Sequence, residues 1–157
     1  MATQSSTARD TDFTTKPSLT IKRRINAAPA KVYAAWTDPE KLAAWFGMPA
    51  KMQEGSLRAE TDPRIGGRYR ISFTRIDGEY FQVGGIYRDI VPNELLVMSW
   101  AWHSTPERES LLTISLKPDG ASTLLTLHHE QFFDEAARDG HEKGWTELLG
   151  QLERSLN

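Results

Sequence analysis

No cysteine occurs in the 157-residue chain. That excludes disulfides, thiolate nucleophiles and cysteine-ligated zinc or iron–sulfur centres, and it fits a reducing compartment. An excess of charge of one sign is missing too, since 19 Lys and Arg stand against 21 Asp and Glu, a net charge of −2. Such a balance provides no electrostatic footprint for nucleic acid or an anionic membrane. The densest basic stretch, Lys22 to Arg24, falls on a predicted strand and reads as a solvated face. No apolar run approaches the roughly 20 residues that span a bilayer, and the N-terminus lacks the apolar core of a secretory signal. The expectation is a cytoplasmic protein with no nucleic-acid partner and no membrane insertion. No internal repeat is visible.

What is present divides into a leader and a patterned body. Residues 1–17 are rich in Ser, Thr and Asp with almost no apolar content, which predicts a disordered leader. Residues 18–157 are expected to form a single domain, the right size for one substantial core. In "LTIKRRI", Leu19, Ile21 and Ile25 mark a first strand. A short helix opens at Pro29, where a missing N–H costs nothing, and sets Val32, Tyr33 and Trp36 on one face. A second opens in "TDPEKL", with Asp38 as cap and Pro39 in the first turn. Leu42, Trp45 and Phe46 form its apolar side, and Gly47 and Pro49 stop it.

From there the hydrophobic period falls from about 3.6 to 2. "GRYRISF", "EYFQVGGIYRDIV", "ELLVMSWAW", "SLLTISL" and "STLLTLHHE" read as consecutive antiparallel strands, with turns at Ile76 to Gly78 and at Lys117 to Gly120. The last segment returns to helical spacing. Ala137, His141, Trp145, Leu148, Leu152 and Leu156 make one apolar stripe, and Asp134 or Glu135 can serve the positive end. A long helix lying in a curled sheet would bury that stripe, with the two short helices closing the opening.

Gly66 and Gly67 in "TDPRIGGRYRISF" lead into a strand and have no third glycine, so neither a Walker loop nor a dinucleotide loop fits. They read instead as a turn that supplies positive φ or a close backbone approach. Gly84 and Gly85, inside a strand, suggest a bulge or bend. His128 and His129 are strand neighbours and point to opposite faces, so they cannot share a metal. His129 is in register with Leu125 and Leu127 and should face the interior, where His141 of the final helix also looks. That pair could bind a carboxylate, act as acid and base, or hold a metal with a third ligand, or could simply be satisfied core histidines. Trp100 and Trp102 alternate on the face of Met98 and Leu96, and Tyr69, Tyr87, Trp36, Trp45 and Trp145 can converge on the same space. Arg68 and Arg70 alternate with that face and read as solvated, and Glu107 to Glu109 read as a polar loop.

This order of elements, with "AAPAKVYAAWTDPEKLAAWFG", "DPRIGGRYRISF", "GGIYRDIVPNELLVMSWAW", "TLLTLHHEQF" and "GHEKGWTELLGQLERSL", resembles the SRPBCC proteins of the START-like superfamily. Within them it is similar to the activator of heat-shock-protein ATPase homologues. The resemblance implies an α+β helix-grip fold, a curved antiparallel sheet around a long C-terminal helix. It also implies a cavity between them that in many relatives holds an apolar or amphipathic ligand. The eukaryotic co-chaperone that names the group carries an additional N-terminal domain where this chain has the 1–17 leader, which disfavours a heat-shock ATPase as partner. The leading expectation is therefore a binding domain, with no cofactor and no metal. Its partner is a small hydrophobic or amphipathic molecule held by Tyr69, Tyr87, Trp100, Trp102, His129, His141 and Trp145. The alternatives are a cyclase- or hydrolase-like enzyme using a cavity histidine, and a co-chaperone-like interaction module. A homodimer is compatible with the sequence.

Overall fold

The computed structural model describes residues 16–156. The leader expected over 1–17 therefore lies, except for its last two residues, outside the described residues. The elements run in the order β1 (Leu19–Ile25), α1 (Pro29–Thr37), α2 (Pro39–Trp45), a 3-10 turn (Pro49–Lys51), β2 (Arg58–Thr61), β3 (Arg68–Thr74), β4 (Tyr80–Val91), β5 (Leu95–Trp102), β6 (Ser110–Asp119), β7 (Ser122–Glu130) and α3 (Glu135–Leu156). The strands form one antiparallel sheet in the order β1-β7-β6-β5-β4-β3-β2. Six of them are thus a meander, and β1 adds to its far edge against β7, with Leu19 opposite His129 and Ile25 opposite Thr123. This is the helix-grip α+β architecture: a curved sheet with α3 packed into it.

Local chemistry accounts for the helix boundaries. Pro29 and Pro39 occupy the first turns of α1 and α2, and Asp38 accepts hydrogen bonds from the amides of Glu40 and Lys41. Asp134 does the same for α3, accepting from the Ala137 amide at 2.8 Å. The Trp45 indole donates to the Ala35 carbonyl at 2.8 Å, fixing the two short helices against each other. The Gln151 amide of α3 donates to the carbonyls of Trp45 and Gly47, which ties the long helix to the end of α2.

The structure adds one strand that the sequence did not announce and sharpens two strand-level readings. β2, "RAET", has no apolar alternation of its own. It is a strand because it pairs with β3, Arg58 opposite Ser72 and Thr61 opposite Tyr69. The expected turn at Lys117 to Gly120 lies two residues further on: Lys117 and Pro118 still pair with Leu124 and Thr123, and the reversal is at Gly120 and Ala121. Pro118 is tolerated in this central strand because pairing with β5 ends at Ser115, so its missing N–H deprives no neighbour. The bend suggested at Gly84 and Gly85 has two parts. A Cβ on Gly85 would lie 2.1 Å from the Ser99 carbonyl oxygen, so the glycine serves close approach of β4 to β5. The register shift itself falls between Tyr87 and Asp89. Both readings of Gly66 and Gly67 hold: Gly66 has φ +88°, and a Cβ on Gly67 would lie 1.9 Å from the Asp62 oxygen.

The core lies between the inner face of the sheet and the helices. Leu112, Ile114, Leu125 and Leu127 come from β6 and β7, Leu149 and Leu152 from α3, and Val32 from α1, all essentially inaccessible. The apolar stripe read on the last segment thus points inward, and its burial supplies the main drive for docking α3.

Candidate functional site

The strand period of β5 places Leu96, Met98, Trp100 and Trp102 on the inner face, and α3 crosses them with His141 and Trp145 one turn apart. Trp100 is the hub. Its ring lies 5.1 Å from Trp145, 5.9 Å from Trp102 and 5.6 Å from His129.

The hydrogen bonds around the two histidines fix their tautomers. An indole N–H only donates, and His141 Nε2 accepts from Trp102 at 3.0 Å and from Trp100 at 3.3 Å. The ring proton therefore sits on Nδ1, which donates to the Ala137 carbonyl at 2.7 Å. At His129, Nδ1 accepts from the Trp145 indole at 3.0 Å. Nε2–H then donates to the Ser110 hydroxyl at 2.8 Å, and that hydroxyl donates to the Trp100 carbonyl at 3.2 Å. Both rings are neutral. Burial, with smaller contributions from His141 and His128, pushes the His129 pKa down to about 2. Burial also lowers that of His141, against the opposing effect of its bond to Ala137.

Next to this cluster is a cavity of about 730 Å³. Phe73, Phe81, Trp100 and Trp102 line it from the sheet, and Ala136, Ala137, Gly140, His141, Gly144, Trp145 and Leu148 from α3. The segment from Phe46 to Met52 contributes Phe46, Gly47, Met48, Lys51 and Met52. Phe73 and Phe81 stack at 5.3 Å and extend the aromatic wall beyond Trp102, which Phe81 meets edge to face at 6.3 Å. The space exists because α3 offers it little side chain. A Cβ added at Gly140 or Gly144 would meet nothing within 4 Å. Glycine inside a helix costs about 1 kcal/mol relative to alanine, so these positions sacrifice stability and leave room.

Of the seven residues expected from sequence, Trp100, Trp102, His141 and Trp145 line the cavity, whereas His129, Tyr69 and Tyr87 are not on its wall. His129 is completely buried, and Trp145 and Ser110 occupy its two nitrogens. Tyr69 and Tyr87 pack a layer further in: Tyr69 is 6.4 Å from Trp100 and 5.5 Å from Tyr87. The Tyr69 hydroxyl donates to the Ser99 carbonyl at 2.5 Å. Burial holds both phenols well above the usual tyrosine pKa, so both are neutral. His128 faces the other side, 2.9 Å from the Thr20 hydroxyl, as strand alternation requires. Among the described residues, no three His, Asp or Glu side chains gather as metal ligands, and no helix is long and apolar enough to cross a membrane.

The family described as Activator of Hsp90 ATPase homolog 1-like protein matches residues 26–157. The chain belongs to that family.

Solved structures of the same architecture agree with this membership. Protein CV1439 from Chromobacterium violaceum is similar at 27% identity and a TM-score of 0.75, over 89% of this chain and 97% of that one. A protein from Rhizobium loti is similar at 29% identity and a TM-score of 0.75, over 89% and 96%. The AHSA1 protein from Silicibacter pomeroyi is similar at 25% identity and a TM-score of 0.72, over 89% and 97%. No curated protein matches the chain.

Within this AHSA1-type fold, sequence reasoning missed the outer wall and the notch in the helix. Phe73 and Phe81 read as ordinary strand residues, since nothing local distinguishes a side chain facing a cavity from one facing a filled core. Gly140 and Gly144 did carry a signal: two glycines four apart, flanking His141, on a helix otherwise rich in strong helix formers.

Proposed function

We propose that this AHSA1-type chain is a binding protein that holds a small hydrophobic or amphipathic molecule in the space between α3 and the aromatic face of β3, β4 and β5. The observation that carries the reading is the 730 Å³ cavity walled by Trp, Phe and Met side chains and left open by Gly140 and Gly144. Its volume lies in the range of ligand pockets, and its wall is apolar with a few convergent polar groups, as such pockets are. The hydrogen bonds of the histidines favour binding over acid–base chemistry. The acceptor nitrogen of each ring is already engaged by tryptophan donors, and burial lowers both pKa values. A general base needs a lone pair within reach of the proton it takes.

The test is a titration with N-phenyl-1-naphthylamine, a neutral probe that fluoresces in apolar surroundings, reading both probe emission and energy transfer from Trp102 and Trp145. Wild-type protein should bind it at micromolar concentration. Gly144→Leu, which directs a side chain into the cavity, should lose most of that binding while remaining folded. Equal binding by the two proteins, or no binding by wild type, rejects the reading.

A further inference from the structure

The charges around the cavity are not random in sign. Among the described residues its lining contains two cations, Lys51 and Arg75, and no aspartate or glutamate, in a chain whose net charge is −2. The two are distant in sequence and are brought together by backbone pairing. Met52 bridges Arg75, and the Ile76 amide donates to the Lys51 carbonyl at 3.1 Å. Arg75 is held at the aromatic wall, its guanidinium 5.8 Å from the Phe81 ring centre. Its carboxylate partner, Asp77, stands 3.8 Å away, and both side chains are about half exposed. A pair so long and so wetted neutralises Arg75 only weakly. Among the described residues Lys51 has no carboxylate partner.

Building on the binding reading above, we propose that the ligand is an amphipathic carboxylate. Its flat apolar body lies along Phe81, Trp102 and Trp145, and its single carboxylate sits at the Lys51–Arg75 edge. The planar guanidinium fork matches a carboxylate, and the Lys51 ammonium supplies a second positive charge that no carboxylate among the described residues pairs with. An apolar wall ending in two cations discriminates by charge: a neutral analogue of the same body gains only the wall, and a cationic analogue is repelled at the edge.

The experiment uses three probes that share one body: biphenyl-4-carboxylate, biphenyl-4-methanol and biphenyl-4-methylamine, each titrated calorimetrically into the full chain at low and high salt. The carboxylate should bind about three- to tenfold more tightly than the alcohol, and the amine more weakly than either. That preference should shrink at high salt and approach unity in the Lys51→Gln/Arg75→Gln double variant. Both positions are exposed, and an unchanged melting temperature confirms that the double variant is folded. An alcohol that binds as tightly as the carboxylate overturns the charge inference and leaves the apolar binding reading standing. So does a tighter amine, or a preference that survives in the double variant. If none of the three probes binds, the binding reading falls and the charge inference falls with it.

Discussion

Replacing Gly140 and Gly144 by alanine should make this protein more stable, and the amount follows from the structure. Both residues are interior to α3, neither has a positive φ, and a Cβ at either would meet nothing within 4 Å. The native state therefore accommodates each methyl without strain, while the unfolded chain loses backbone freedom. The gain is about 1 kcal/mol for each substitution and about 2 kcal/mol for the pair. For a chain of this size that corresponds to a melting temperature raised by about 4–8 °C in the double variant. Thermal unfolding followed by circular dichroism, with urea midpoints as a second measure, reads the effect. A lower melting temperature in either single variant would refute the reasoning. It would mean that the space beside the helix is filled in solution, and the case for a binding cavity would weaken with it. If instead stability rises in the alanine variants while Gly144→Leu abolishes probe binding, the glycines are retained at a cost in stability for the sake of the cavity.

Other consequences can be checked alongside. His129→Ala leaves the Trp145 indole and the Ser110 hydroxyl without their partner in a fully buried site, and should cost about 2–4 kcal/mol in urea unfolding. The pH dependence has a definite sign: His129 is held neutral when folded, with its pKa at about 2, and titrates near 6.5 when unfolded. Its contribution is therefore fully present above pH 6.5 and is lost as the pH falls toward 2, at up to about 1.4 kcal/mol per pH unit. Urea midpoints measured from pH 7 to pH 4 should fall accordingly, and a flat profile would contradict the buried neutral state. Gly67→Ala brings a methyl 1.9 Å from the Asp62 oxygen and should destabilise by about 2–4 kcal/mol, seen as a lowered melting temperature or loss of soluble protein. Tyr69→Phe removes only the bond to the Ser99 carbonyl and should cost about 1 kcal/mol with probe binding unchanged.

Much of the fold could be read directly because its determinants are local. The prolines at 29 and 39, the Asp38 cap, the period-2 runs of the meander and the stripe from Ala137 to Leu156 each specify an element through neighbours a few residues away. Where a neighbouring strand decides, local reading fell short. β2 lacks any signal of its own and exists through β3, and Pro118 continues a strand because β5 has already ended beside it. The site shows the same division. Alternation correctly separates His128 from His129, and the helical stripe correctly turns His141 and Trp145 inward.

By itself, then, the sequence determined the order of elements apart from β2, the inward faces of the period-2 strands and of the last helix, and the exclusion of cysteine chemistry, since those depend on composition and on periods of 2 and 3.6. Only the tertiary structure decided which inward residues border empty space and which are sealed behind them. Trp102 and His141 meet the cavity, while His129 and Tyr69 satisfy their polar groups in the layer beyond, where Tyr87 packs against Tyr69. The physical reason is that a cavity is a relation between surfaces far apart in the chain. Two missing side chains on α3 face a wall built by β3, β4 and β5, and Lys51 and Arg75, far apart in sequence, both line it because Met52 bridges Arg75.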